Sequence, residues 1–189
     1  MRSFLFCLST ILLLQAPKHE AALFDLYKYD STKPLNYQEK LVEQRDGAKI
    51  FEASYASPKG GRVPMYVVVP PGKGPFAGIL FQHGGSQTRY TYLSEAVLLA
   101  RVGALSLVLD DEPRDMDPMK PKEQRDEYIR MVMDMRRAVD LLLARGDVDR
   151  NRIGYVGHSY GSMLGSVLTA VDKRIKTFVY LGLFCASPI

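Results

Sequence analysis

Residues Gly157-His158-Ser159-Tyr160-Gly161 place a serine between two glycines at the spacing G-x-S-x-G. Chance alone would produce that pattern in roughly one chain in fifteen of this length, so its flanks decide its meaning. Directly before it lies the apolar stretch Ile153 to Val156, which suits a buried strand, and directly after it the sequence predicts a helix over Tyr160 to Val171. A serine on so sharp a strand-to-helix turn is held in a strained backbone conformation that exposes its hydroxyl. Side chains at Gly157 or Gly161 would collide with neighbouring backbone there. The helix starting at Tyr160 would point its N-terminal amides at developing negative charge. The chemistry implied is nucleophilic attack by Ser159 on an acyl carbon.

A second candidate segment, Phe81-Gln82-His83-Gly84-Gly85-Ser86, follows an expected strand over Ala77 to Gln82. Paired glycines let main-chain N–H groups approach a substrate carbonyl oxygen closely. The amide of Tyr160 supplies one expected oxyanion donor, and that of Gly84 or Gly85 the other. His83, Asp110 and Asp111 are candidate rim residues, since each ends a strand on the side where Ser159 is presented. His158 is expected to pack within the elbow, and Asp172 to be a solvated turn residue.

The elements that must position these residues alternate. Ile50 to Ser57 and Val63 to Val69, separated by Pro58-Lys59-Gly60-Gly61, form an antiparallel hairpin. Then come a strand Ala77 to Gln82, a helix Tyr92 to Val102 stopped by Gly103, a strand Ala104 to Leu109 and a proline-rich connector Asp110 to Pro118. A long helix, about Lys122 to Arg145, carries Tyr128, Val132, Met135, Val139 and Leu142 on one stripe. Ile153 to Val156 and Ile175 to Leu183 are the last strands. Such alternation defines an α/β protein: a mostly parallel sheet between helical layers, with an N-terminal antiparallel hairpin.

These segments, and above all Asp147-Val148-Asp149-Arg150-Asn151-Arg152-Ile153-Gly154-Tyr155-Val156-Gly157-His158-Ser159-Tyr160-Gly161, resemble the α/β-hydrolase superfamily, in its dienelactone-hydrolase-like and prolyl-oligopeptidase-like esterase branch. The resemblance covers about residues 50–183. It implies the three-layer α/β/α hydrolase fold of eight strands, six of them supplied here, and cleavage of a carboxylic ester through an acyl-enzyme. Dienelactone hydrolases proper use a cysteine nucleophile, so Ser159 favours the esterase or peptidase relatives. In this fold the triad runs along the chain as Ser, then Asp or Glu, then His. The three histidines are His19, His83 and His158, and none follows Ser159. The expectation is therefore an N-terminal fragment whose triad acid, histidine and final strands lie beyond residue 189. Alternatives are a prolyl-oligopeptidase-type serine peptidase and a non-catalytic hydrolase-like binding protein.

Composition bounds the rest. With 189 residues, 47% hydrophobic and 24% charged, the chain suits one packed domain. The net charge of +4 is spread among acidic residues, as in 120–127 and 134–140, which reads as a solvated mixed-charge surface and lacks the one-sided clustering of a nucleic-acid binder. No apolar run reaches the roughly 18 residues of a membrane span. Arg2 followed by the apolar run Phe4 to Leu14 matches a secretory signal, so residues 1–22 are expected to be a signal peptide and the protein exported. Residues 23–48 then form a polar extension and 49–189 an incomplete hydrolase domain. Removal of Cys7 with the signal would leave Cys185 alone, without an internal disulfide. The partner expected is a small-molecule ester; no metal or organic cofactor, nucleic acid or stable membrane anchor is implied, and no motif speaks to oligomeric state.

Overall fold

A computed structural model describes residues 23–111, 113 and 119–182. The expected signal peptide, the middle of the proline-rich connector and Cys185 lie outside the described residues. Seven strands form one sheet in the order β1-β2-β3-β5-β4-β6-β7. They are β1 (Gln38–Arg45), β2 (Ala48–Ala56), β3 (Arg62–Val69), β4 (Phe76–Gln82), β5 (Ala104–Leu109), β6 (Val148–His158) and β7 (Thr177–Leu181). The first three pair antiparallel, and β3 meets β5 antiparallel. The pairs β4 with β5, β4 with β6 and β6 with β7 are parallel.

The helices are α1 (Leu93–Ala100), α2 (Pro121–Ala144) and α3 (Tyr160–Val171). A 3-10 turn, Arg89–Tyr92, leads into α1 and takes up the start of the helix expected from Tyr92. Two apolar clusters lie on opposite faces of the sheet. One gathers Val132, Met135, Val139 and Leu142 of α2 and Leu164 and Leu168 of α3. The other gathers Leu93, Ala96, Val97 and Ala100 of α1. This is the three-layer arrangement in which each face of a parallel sheet must be covered by helices. The buried Met131 and Met135 fill irregular core volume, as a flexible thioether does.

Three expectations are corrected. The stretch taken as a polar extension contains β1, which pairs with β2 from Gln38↔Ser54 to Arg45↔Ala48 around an irregularity between Leu41 and Glu43. Its side chains are exposed on both faces, so it has none of the alternation by which a half-buried strand is recognised. The charges along α2 are not all solvated: Arg130, Asp134 and Arg137 are buried. Arg137 donates to the carbonyls of Ser31 (3.0 Å) and Lys33, strapping the N-terminal segment to α2. Nor is Asp172 a solvated turn residue. It is 3% exposed, with Arg174 Nη2 at 2.5 Å and Arg136 Nε at 3.5 Å.

The order of strands places a switch point beside β4. From β4 the chain crosses through α1 to β5 on one side, then returns through α2 to β6 on the other. Crevices at the carboxyl ends of strands on either side of such a point are where open α/β sheets bind ligands. His83 follows the end of β4, and Ser159 the end of β6.

Candidate active site

Ser159 sits between β6 and α3 with φ 49° and ψ −108°, a backbone conformation that a residue with a Cβ adopts only under constraint. Several close approaches supply that constraint. A Cβ on Gly157 would lie 2.6 Å from the Gly161 carbonyl oxygen, and one on Gly161 would overlap the Gln82 carbonyl. Ser159 N donates to Leu181 O at 2.7 Å, while Ser162 Oγ donates to Gly157 O (2.8 Å) and Leu181 O (2.9 Å). Tyr155, buried in β6, donates its hydroxyl to Gly161 O at 2.5 Å. The turn is thus held by β4, β6, β7 and α3 together. Ser159 is half-buried, and its side chain makes no capping bond to the helix it starts.

The segment after β4 lies alongside. Gly84 approaches the elbow so closely that a Cβ there would stand 2.8 Å from His158 Nδ1, whereas a Cβ on Gly85 would meet nothing within 4 Å. Gly84 N donates to Gln87 Oε1 at 2.9 Å, and the same oxygen lies 3.2 Å from His158 Nδ1. Buried His83 has Nδ1 2.7 Å from Gly84 O, so Nδ1 carries the proton and donates. Its Nε2 faces Asp110 Oδ1 at 3.7 Å. Nδ1 is thus engaged by the loop, whereas the buried Nε2 has no hydrogen-bond partner among the described residues.

The two aspartates diverge in role. Asp110 Oδ1 accepts from Arg89 N at 2.9 Å, which anchors the far end of the loop, and Arg89 lies over the Tyr66 ring at 4.4 Å. Asp111 is buried, pairs with Arg130 Nη1 at 2.8 Å, and offers its carbonyl to Gln82 Nε2 at 3.1 Å. Arg130 also meets Asp134 Oδ2 at 2.5 Å and Glu127 Oε2 at 2.9 Å. The Tyr160 side chain donates to Met131 Sδ at 3.3 Å and packs on Tyr128. Burial pushes its phenol well above the ordinary tyrosine value, so it stays neutral.

A cavity of about 340 Å³ opens between the His83–Ser86 segment, Asp111, Pro113 and Tyr160. That is near the small end of the range for small-molecule sites. A larger cleft of about 450 Å³, between Leu23, Phe24 and Tyr27 and the outer face of α3, is mostly apolar and holds none of the elbow residues. Among the described residues no group of three or more His, Cys, Asp or Glu could hold a metal ion, and no helix is long and apolar enough to cross a membrane. Gln87 is the site residue that the sequence did not mark. A lone glutamine in a polar loop carries no pattern, and its part is visible only from the fold-back of its side chain.

The sheet order, the switch point and the strained serine between β6 and α3 define an α/β-hydrolase fold. No family model matches the sequence. Acyl-coenzyme A thioesterase 3 of Mus musculus is 28% identical over 191 residues, which is 90% of this chain and 41% of that protein. An acetyl xylan esterase from Paenibacillus sp. R4 superposes with a TM-score of 0.66 at 25% identity, covering 83% of this chain and 57% of the other. Acetyl xylan esterase 1 from Thermoanaerobacterium sp. JW/SL YS485 gives 0.74 at 15% identity, over 87% and 59%, which speaks to the fold alone. The chain thus spans about half the length of the proteins it matches.

Proposed function

We propose that the protein is a serine hydrolase that cleaves small carboxylic esters through an acyl-enzyme. Ser159 attacks the acyl carbon. The Tyr160 amide, at the N-terminus of α3, and the Gly85 amide receive the negative charge that develops on the carbonyl oxygen. The observation that carries this reading is the positive φ of Ser159, enforced from four elements of the fold. Stored strain of this kind is characteristic of a nucleophile elbow. The similarity to esterases and a thioesterase supports acyl transfer, and the small cavity favours a short acyl group.

A serine at its ordinary pKa needs a base, and the base needs an orienting carboxylate. Residues 1–189 place no histidine after Ser159, and His83 is buried with its Nδ1 proton given to Gly84 O. The acid and the histidine are therefore proposed to come from chain beyond residue 189. The exposed Phe178, Val179 and Leu181 of β7 favour further structure beside that strand. Export is proposed from Arg2 and the run Phe4 to Leu14; a mature N-terminus read from the cell envelope or medium tests it, and an intact Met1 there refutes it.

Steady-state hydrolysis of p-nitrophenyl acetate and of acetyl-thioesters by the full-length protein, with and without Ser159→Ala, tests the central reading. Ser159-dependent turnover of either substrate supports acyl transfer, and their ratio assigns oxygen or sulfur esters. Turnover that survives in Ser159→Ala refutes it.

A further inference from the structure

We propose that Gln87 is a positioning residue of the oxyanion site: its carboxamide clamps the Gly84–Gly85 peptide to the elbow and leaves Gly85 N–H as the donor facing the substrate. The inference rests on the hydrolase reading for its catalytic consequence but not for the clamp itself.

Both faces of Gly84 are occupied. Its N–H donates to Gln87 Oε1 at 2.9 Å, and its carbonyl accepts from His83 Nδ1 at 2.7 Å and from Gln87 N at 3.3 Å. The Gly84 carbonyl and the Gly85 N–H belong to one planar trans peptide, so they point in opposite directions. Fixing the carbonyl towards His83 and Gln87 therefore turns Gly85 N–H the other way. Gly85 lines the cavity beside Tyr160, and among the described residues its N–H donates to nothing. Ser86, at φ 61°, reverses the chain so that the Gln87 side chain folds back onto Gly84.

The far end of the clamp is His158. Gly84 N–H can only donate, so the atom it meets on Gln87 is the oxygen, and an oxygen 3.2 Å from His158 Nδ1 requires the proton on Nδ1. One acceptor thus joins the loop after β4 to the residue preceding Ser159. This sets the spacing between the Gly85 and Tyr160 amides, on which transition-state stabilisation depends.

The test uses the full-length protein. Nitrogen-15 NMR of the imidazoles, with His158 assigned by its loss in His158→Gln, reports the tautomer; kcat and KM for p-nitrophenyl acetate report the consequence. The wild type is expected to hold neutral His158 as the Nδ1–H form. Gln87→Met should abolish that preference and lower kcat about 10- to 100-fold with KM within about two-fold. Gln87→Glu, which keeps an accepting oxygen at the same reach, should retain the Nδ1 proton. A wild-type His158 in the Nε2–H form, or wild-type kcat in Gln87→Met, overturns the proposal. A wild type without ester turnover refutes the hydrolase reading instead, and the tautomer then decides the clamp by itself.

Discussion

Tyr155 donates its fully buried hydroxyl to the carbonyl oxygen of Gly161 at 2.5 Å, joining the strand before the candidate nucleophile to the first turn of the helix after it. The bond spans the elbow like a brace. Burial pushes the phenol well above the ordinary tyrosine value, so the bond keeps its proton at neutral pH. Tyr155→Phe is expected to destabilise the protein by about 1–2 kcal/mol in urea unfolding, since a buried acceptor loses its donor. It should also lower kcat more than it raises KM.

The glycines of the site separate by what surrounds them. A Cβ on Gly161 runs into the Gln82 carbonyl, and one on Gly84 into His158, while one on Gly85 enters open space. Gly161→Ala and Gly84→Ala should each cost about 1–3 kcal/mol, as overpacking does. Gly85→Ala should stay within about 0.5 kcal/mol and keep its N–H. Melting temperatures of the three variants check this ordering.

Asp172 links the α3–β7 connection to α2 through Arg174, which also meets Asp140 at 2.5 Å. Burial by itself would raise the Asp172 carboxyl, but hydrogen bonds and charge from Arg174, with further charge from Arg136, outweigh it and hold the group below the ordinary carboxylate value. A carboxyl depressed in the folded state contributes stability that is fully present above the unfolded value of about 3.9 and is lost as pH falls through the folded one. Asp172→Asn should therefore cost about 3 kcal/mol at pH 7. The difference from wild type should shrink as the pH drops below about 4, as followed by denaturant midpoints.

Arg130 stands between the buried carboxylates of Asp111 and Asp134, with Glu127 at its Nε. Removing one partner of a buried ion pair leaves charge uncompensated, at about 3–5 kcal/mol. Arg130→Met should lose that much in equilibrium unfolding. Asp111 backs the cavity through Gln82, so KM for a small ester should rise as well.

The sequence made the elbow legible because it carries both a motif and a change of period, from a buried strand to the helix at Tyr160. The helix α3 runs over the residues expected, and the buried stripe of α2 falls at Val132, Met135, Val139 and Leu142. The strand β1 escaped notice because its register comes from β2 and not from a hydrophobic face. Asp172 and Arg130 escaped because burial of a charge depends on how its element packs in the fold, and short-range partners such as Arg174 and Asp134 read the same in sequence whether the pair is solvated or buried. The Gln87 clamp depends on one side-chain rotamer after a positive-φ serine, below the resolution of any sequence pattern.

Peptide mapping after fluorophosphonate treatment tests the central claim most directly. The full-length protein is expected to gain one adduct, on the Ser159 hydroxyl, and Ser159→Ala to gain none. An adduct on another residue, or an unmodified Ser159 in a protein that turns over esters, contradicts the account.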